Sequence, residues 1–483
     1  MLDQRGLFSR PSLKSGWIVP WKFKGEFLES RPKKRKMKYL NLNPSEFSGT
    51  VAPIMRYATI DPRLFKQNRA RVCKAMAPNA LAIVNGNDTM PTNADGSFPM
   101  RVSSDLFYLT GVEQEQTILL LYPDAQDEKL REILFLREPS AEAETWEGHK
   151  LTKVEARAQT GIRTVEWLQA FPRLFHRLMC ECDHVHLNSN EHKRAIIDVP
   201  TREARFVAEC QSRYPLHSYH RLARILHRIR AVKSDLEIEA LRKACALTEK
   251  GFRRILAFTR PGVSETEVEA EFAHEFIRNR GHFAYSPIIA SGGNACVLHY
   301  GDNSAVCKKG DLLLLDVAAS YANYNSDMTR TIPVSGRFTP RQRKVYNAVL
   351  RVMRASIKGL VPGKLPKTWQ EEAEQMVEKE LIDLGLLTRR AIKRQDAAQP
   401  ALKKYFMHGV GHPIGLDVHD VGITTEPMQA GWVMTCEPAI YIREENLAIR
   451  LENTVHITAD GPVDLMASIP VEAEEIEDLM NSK

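Results

Sequence analysis

Five ionisable residues in the last third of the chain interrupt apolar strings, and this placement constrains the fold more than any other feature. They are Asp316, Asp327, His412, Glu437 and Glu452, in the strings LLLLDVAAS, YNSDMTRT, HGVGHPIGLDVHD, TCEPAIYI and AIRLENTVHIT. A carboxylate in a low-dielectric interior is costly unless it has a partner or a cation. Four carboxylates and one imidazole are the ligands expected for a pair of divalent cations that prefer oxygen, such as Mn²⁺, rather than for a structural zinc ion.

A pair of such ions would predict metal-assisted hydrolysis, because two ions about 3.5–4 Å apart can hold one hydroxide and polarise a carbonyl oxygen. Asp316 ends a string of four leucines, and Asp327 follows eleven residues later, beyond a polar turn. We expect two paired strands with a short connection, which would place both carboxylates side by side. The alternative is that Asp327 forms an ion pair with Arg330.

Three histidines, His408, His412 and His419, lie within the string HGVGHPIGLDVHDVG, next to Asp417 and Asp420. The glycines predict a loop that brings the backbone close to a site, rather than a regular helix. Three imidazoles within twelve residues, beside two carboxylates, favour a functional site over a structural role.

The net charge excludes one class of function. Residues 1–50 contain eleven Lys/Arg and four Asp/Glu, whereas the other 433 residues carry 56 of each sign. The globular body therefore lacks the basic patch that nucleic-acid binding requires. Eight cysteines without a CxxC motif predict reduced thiols and a cytoplasmic setting. No apolar run approaches the ~20 residues that cross a bilayer, so we expect no membrane span.

Residues 1–52 are predicted to form a basic, disordered leader, because they are rich in Arg, Lys, Ser, Pro and Gly without periodicity. Translation from Met37 is the alternative, in which case this stretch is an over-extended start. Two further hypotheses are that KKRK belongs to a nuclear-localisation arm and that the stretch is a transit peptide.

Residues 53–222 alternate helical and strand-like strings, which predicts an α/β N-terminal domain. RLFKQNRARVCKAM reads as an amphipathic helix, and ALAIVNG, SSDLFYLTGV, QTILLLYP and REILFLRE read as strands. His184, His186 and His192 lack carboxylates at ligand spacing and are expected to be surface or core histidines.

Residues 223–483 are predicted to form an α+β domain, with helices on one side of a largely antiparallel sheet. Capping boxes at Ser234 and Ser264 begin two helices that Pro261-Gly262 separates. Strands follow at SPIIASG, DLLLLDVAA and NYNSDMTRTIPV, a helical block spans about 340–385, and further strands surround the His and Glu motifs.

The strings SGGNACVLHY, LLLLDVAAS, SDMTRT, HGVGHPIGLDVHDVG, EPAIYI and IRLEN resemble those of the aminopeptidase P and prolidase family of pita-bread metallopeptidases. The resemblance covers roughly residues 56–480, including SSDLFYLTGV in the N-terminal domain. It implies a pita-bread catalytic domain and two metal ions, preferably Mn²⁺, with Co or Zn as alternatives. Asp316 would then hold one ion, His412 and Glu437 the other, and Asp327 and Glu452 would bridge both.

The resemblance also implies roles outside the set of metal ligands. His299 and His419 would contact the substrate and stabilise the tetrahedral intermediate, and His408 would line the same pocket. Glu437 would shuttle a proton, and Arg450 would orient Glu452 and its neighbours.

Three further residues bear on the resemblance. Trp146 resembles an N-domain aromatic that helps to close the site in oligomers, and a homo-oligomer, dimer or tetramer, is expected by analogy. Pro413 stands where relatives often carry a bulky residue, which changes the shape of the pocket. His456 is an added imidazole, expected on the far face of its strand.

The resemblance implies hydrolysis of the peptide bond before proline, with release of the N-terminal residue of a proline-containing peptide. An X-Pro amide has no N–H and an unusual geometry, so a pocket shaped for the ring would provide specificity. A prolidase restricted to X-Pro dipeptides is the alternative. A non-catalytic peptide-binding protein of the same fold is a third hypothesis, and the intact ligand set argues against it.

Overall fold

The computed structural model describes residues 57–396 and 398–482, so the predicted leader lies outside the described residues. The helices are α1–α13: Pro62–Ala75, Ser104–Thr110, Ala141–Glu147, Lys153–Thr160, Phe171–Met179, Arg202–Arg213, Leu222–Ala231, Asp235–Phe258, Glu265–Arg278, Pro340–Lys358, Pro366–Asp383, Arg389–Arg394 and Ala473–Asn481. Within the described part, no helix combines the length and apolar character that a bilayer crossing needs.

The N-terminal half is built on a six-stranded sheet in the order β4-β3-β2-β1-β5-β6. Its strands β1–β6 are Ala80–Asn85, Ile118–Leu121, Glu132–Leu136, Thr164–Trp167, His184–Leu187 and Ser218–Arg221. β1 pairs antiparallel with β2 and parallel with β5. All six residues of β1 are buried, and alternate ones join two different apolar clusters, so both faces of the sheet are covered. The predicted α/β domain is confirmed in this respect.

The string SSDLFYLTGV is a helix, α2, and the predicted strand there is wrong. Leu106, Phe107 and Leu109 are all buried, so their continuous apolar pattern could not separate a buried helix from a buried strand. The residues at the two ends of the segment do indicate a helix. The Ser103 hydroxyl accepts a hydrogen bond from Leu106 N, and Gly111 ends the helix at φ +69°.

The C-terminal half begins with the predicted long helices α8 and α9. Ser234 with Glu237, and Ser264 with Glu267, form both reciprocal hydrogen bonds of a capping box. The helical block predicted over 340–385 is two helices, α10 and α11, separated by a turn that contains Gly363.

Strands β7–β17 of this half are His282–Phe283, Ile288–Ser291, Leu312–Asp316, Ala319–Tyr321, Tyr324–Asn325, Thr329–Pro333, Val433–Cys436, Ala439–Ile442, Leu447–Arg450, Asn453–Thr458 and Gly461–Asp464. They form small antiparallel sheets: β11-β10-β7, β12-β9-β8, β13-β16-β17 and β14-β15. The antiparallel prediction is confirmed, but the sheet is divided into separate pieces. β9, β12, β13 and β15 end or begin beside the candidate ligands.

One buried apolar cluster runs from Val72 through Leu109 and Ile289 to Ile476, so the two halves share a core. The last strand of the N-terminal sheet ends at Arg221. We therefore propose two domains, residues 53–222 and residues 223–483.

Candidate metal and catalytic site

The structure brings the five predicted ligand residues together. Asp327, His412 and Glu452 are buried, and each offers a ligand atom within 4.8 Å of those of the other two. His412 Nε2 lies 3.5 Å from Asp327 Oδ2 and 3.8 Å from Glu437 Oε1. Asp316 is connected to the same cluster by Arg450, which donates a hydrogen bond to its carboxylate.

Antiparallel pairing of β9 with β12 positions the first two carboxylates. Asp316 lies opposite Thr329, so Asp327 is two residues beyond the directly opposed position. The predicted pairing is confirmed. The predicted alternative, an ion pair between Asp327 and Arg330, is wrong. The Arg330 side chain is fully buried and is bound to other groups. Its guanidinium donates hydrogen bonds to Glu452 O, Pro470 O and Asn453 Oδ1 at 2.7–2.9 Å.

The glycine-rich loop positions His412 against strand β13. Its backbone N–H donates to Thr435 Oγ1 at 3.0 Å, and Thr435 N–H donates to His412 O at 2.8 Å. A Cβ on Gly411 would lie 2.2 Å from Thr435 O, so only glycine permits this approach. The predicted role of the glycines in bringing the backbone close is confirmed.

His412 has the tautomer that a metal ligand needs. Its Nδ1 lies 3.0 Å from Pro413 O, and a carbonyl can only accept, so Nδ1 carries the proton. Burial lowers the pKa of His412, which keeps the ring neutral. The Nε2 lone pair therefore faces the carboxylates of Asp327 and Glu437.

The acids of the cluster are held in an unfavourable environment for negative charge. Burial, followed by the charges of neighbouring carboxylates, raises the pKa values of Asp327, Glu437 and Glu452 well above their usual range. Glu452 Oε1 is buried and has no hydrogen-bond partner among the described residues. An unpaired buried oxygen within a carboxylate and imidazole cluster fits a divalent cation.

Arg450 places a positive charge beside the carboxylates of the cluster. Its Nη2 donates to Asp316 Oδ2 at 2.5 Å, and its Nε donates to Thr329 Oγ1 at 3.1 Å. Thr329 Oγ1 in turn donates to Glu452 Oε2 at 2.8 Å. Arg450 therefore fixes Asp316 directly and Glu452 through one hydroxyl group.

Two tyrosines that sequence reasoning missed complete the cluster. Tyr285 donates to Asp327 Oδ1 at 2.6 Å. Tyr441 lies between Arg450 and His408, because its hydroxyl accepts from Arg450 Nη1 at 2.7 Å and lies 2.9 Å from His408 Nε2. No acid or histidine marks these positions in sequence. Only the motif EPAIYI, which contains Tyr441, could have drawn attention to one of them.

The predicted histidines surround the cluster in different environments. His408 is engaged on both nitrogens, with Nδ1 2.7 Å from Gly409 O, and burial followed by the charge of Arg450 lowers its pKa to about 4. His419 packs edge-on against His412 at 4.3 Å between ring centroids. Desolvation, followed by the charges of His412 and Arg194, lowers the pKa of His419 to about 3. His299 is exposed.

The remaining predicted residues lie outside the cluster. His456 lies on β16, where burial, followed by the charge of Arg242, lowers its pKa. Trp146 is 82% exposed on α3. His184 and His186 lie on β5, the former 3.2 Å from His220, whereas His192 lines a cavity beside His419.

Comparison with known proteins agrees with this geometry. Residues 239–459 match the model of metallopeptidase family M24, and residues 65–186 match that of the aminopeptidase P N-terminal domain. The Xaa-Pro aminopeptidase of Haemophilus influenzae is 33% identical over 430 residues, which cover 86% of this chain and 97% of that protein. Human Xaa-Pro aminopeptidase 3 is 31% identical over 412 residues, covering 82% of this chain and 80% of that protein.

The chain belongs to the Xaa-Pro aminopeptidase family of M24 metallopeptidases. Among solved structures, zinc-substituted Escherichia coli aminopeptidase P in complex with product superposes with a TM-score of 0.77 at 31% identity, covering 88% of this chain and 99% of that one. The protein is a metallo-aminopeptidase with the pita-bread fold, as the resemblance of its motifs implied.

In this member of the Xaa-Pro aminopeptidase family, a second ionic network joins the N-terminal half to the loop that carries His419. Arg230 of α7 is buried, and its guanidinium contacts Asp105 at 2.7 Å, Asp417 at 2.8 Å and Asp420 at 2.6 Å. Lys233 Nζ lies 2.9 Å from the other oxygen of Asp420. Because Asp417 and Asp420 flank His419, the network fixes the loop on both sides of that histidine.

We predict that Arg230→Met destabilises the protein by about 3–5 kcal/mol, because it removes the buried counter-charge of Asp105 and Asp417 and one of the two cations beside Asp420. Melting temperature by calorimetry would measure the effect, and turnover should fall as the His419 loop loses its anchor.

The matched control is Arg228→Met, two residues away on the same helix. Arg228 is exposed and, within the described part of the chain, pairs only with Glu426, so we expect a change below about 1 kcal/mol. Equal melting temperatures for the two variants would contradict the role assigned to Arg230.

Proposed function

We propose that this metal-dependent Xaa-Pro aminopeptidase removes the N-terminal residue from peptides that carry proline in the second position, using two divalent ions, preferably Mn²⁺. The observation that carries the proposal is the grouping of Asp327, His412 and Glu452 around a buried carboxylate oxygen that has no hydrogen-bond partner among the described residues. The family to which the chain belongs supplies the substrate class.

The donor set suits two ions better than one. We assign Asp316 to one ion, His412 and Glu437 to the other, and Asp327 and Glu452 to both. Carboxylates dominate the set, which favours Mn²⁺, with Co²⁺ or Zn²⁺ as alternatives. When bound, such ions supply Lewis acidity at the scissile carbonyl and lower the pKa of water.

The residues of the chain carry the remaining chemistry. The Glu437 carboxylate lies 3.7 Å from His408 Nδ1 and 3.8 Å from His412 Nε2, where it can accept and return a proton. His419 and His299 would donate hydrogen bonds to the oxygen that becomes negative in the tetrahedral intermediate. Because the pKa of His419 is lowered to about 3, it would act there as a neutral donor.

His408 has a different part in this proposal. Both of its ring nitrogens are engaged, by Gly409 O and by the Tyr441 hydroxyl. It would therefore hold Tyr441, which in turn orients Arg450. Arg450 keeps Asp316 and Thr329 in place and does not itself meet the substrate.

A cavity beside the cluster offers space for the proline. It has a volume of about 550 Å³ and is lined by His412, Pro413 and His419 together with Trp369 of α11. Proline has no N–H to satisfy, so contact with the rings of Pro413 and Trp369 costs nothing in unpaired donors. Pro413 itself adds only a small ring to this wall.

The relatives reported above are Xaa-Pro aminopeptidases, which favours this activity over a prolidase restricted to dipeptides. We also propose a homo-oligomer, dimer or tetramer, in which the exposed Trp146 contacts another subunit. Eight free cysteines favour the cytoplasm as its setting.

We predict that chelation abolishes hydrolysis of X-Pro-Y peptides and that Mn²⁺ restores it, with X-Ala-Y peptides of the same length left intact. Reversed-phase separation of the products would measure both. Undiminished hydrolysis by protein shown to be metal-free would contradict the proposal, as would cleavage of the alanine peptides at the same rate.

We further predict that Asp327→Asn abolishes turnover while the metal-free variant melts no lower than the metal-free wild type. The substitution removes one buried negative charge from a cluster whose acids repel each other. Adding Mn²⁺ should raise the melting temperature of the wild type, since the ion binds only the folded state, and should leave the variant unchanged.

The control for Asp327→Asn is Asp460→Asn, on an exposed turn, which should behave as the wild type does in both assays. A variant at Asp327 that retained both turnover and its response to Mn²⁺ would place the metal elsewhere.

A further inference from the structure

The cavity beside His412 has one wall from each half of the chain. His412, Pro413 and His419 form the wall on the metal side. The opposite wall comes from the segment after β5, from the end of β6 and from α7, and contributes Lys193, Arg194, Arg221 and Arg224. The two walls meet at the mouth, where Lys193 Nζ donates to Thr424 Oγ1 at 3.4 Å.

The basic side chains of this wall exceed what its acids can neutralise. The cavity is lined by four basic and two acidic side chains, in a body of the chain where the two signs are balanced. Both acids are already occupied, since Glu191 accepts from Arg221 at 2.9–3.0 Å and Asp420 binds Arg230 and Lys233.

Arg194 and Arg224 remain available. Both are exposed, and neither guanidinium forms a hydrogen bond or an ion pair with any residue within the described ranges. Arg194 lines the same cavity as His412 and His419. Two free guanidinium groups facing a cavity are suited to a planar anion such as a carboxylate.

A second cavity, on the other side of His419, has a volume of about 540 Å³ and shares Arg194 and Glu191 with the first. Its acids Asp105 and Asp417 are paired with Arg230. A peptide with free ends is negative at its C-terminus. The two free guanidinium groups therefore match the negative end of a short peptide whose N-terminal residue lies at the metal site.

We propose that Arg194 and Arg224 bind the C-terminal carboxylate of short proline-containing peptides, which makes the enzyme selective for substrates that end inside this cavity. This inference rests on the proposed function and adds a carboxylate subsite to it. The contact is the same in the ground state and the transition state, so it acts on KM rather than on kcat.

The experiment uses the full-length, Mn²⁺-loaded enzyme and two substrates that differ in one group, Ala-Pro-Ala and Ala-Pro-Ala-amide. We expect the wild type to have a KM for the free acid about tenfold or more lower than for the amide, the effect of one charge-assisted hydrogen bond pair. Arg194→Gln, and more strongly Arg194→Gln with Arg224→Gln, should raise KM for the free acid alone and leave kcat unchanged. Arg194→Lys should restore part of the preference.

Arg390→Gln is the matched control, because Arg390 is an exposed arginine on α12 that does not line the cavity. It should leave both substrates unaffected. Equal KM values for acid and amide in the wild type would overturn the subsite while leaving the proposed function intact, and so would equal losses on both substrates in Arg194→Gln. Hydrolysis of neither substrate would overturn the proposed function and the subsite with it.

Discussion

The structure depends on the cost of placing four carboxylates in one buried site. Asp316, Asp327, Glu437 and Glu452 come from four separate segments of the C-terminal half, and burial and mutual repulsion oppose the ionisation of Asp327, Glu437 and Glu452. Arg450 supplies one positive charge and reaches Asp316 directly. The remaining negative charge requires cations, and this requirement connects the fold to metal-dependent hydrolysis.

Hydrogen bonds of the protein hold this cluster in place. Thr329 links Arg450 to Glu452, Tyr441 links Arg450 to His408, and Tyr285 binds Asp327. A site held by such partners keeps its ligands in a fixed geometry before an ion arrives. The Arg230 network extends this arrangement to the N-terminal half, because it ties α2 and α7 to the loop that carries His419. The N-terminal half thus contributes to the order of the site and to the walls of its cavities.

Part of this structure could be predicted from the sequence, for identifiable reasons. The ligands were visible because desolvation makes an acid at the end of an apolar strand unfavourable, and helices α8 and α9 were visible because capping boxes are local signals. Other features have no local signature. The contact of Arg230 with Asp420 joins residues 190 positions apart, and Tyr285 and Tyr441 are ordinary aromatic residues until the strands pair. Helix α2 was predicted to be a strand because its apolar residues are buried in an unbroken run, which hides the helical periodicity.

The most direct test of the central claim is an anomalous-difference map from crystals grown with Mn²⁺. We expect two separate manganese peaks in contact with the carboxylates of Asp327 and Glu452, one also touching Asp316 and the other touching His412 and Glu437. The same map from the Asp327→Asn variant should lose both peaks. A wild-type map with no peak among these five residues would contradict the account.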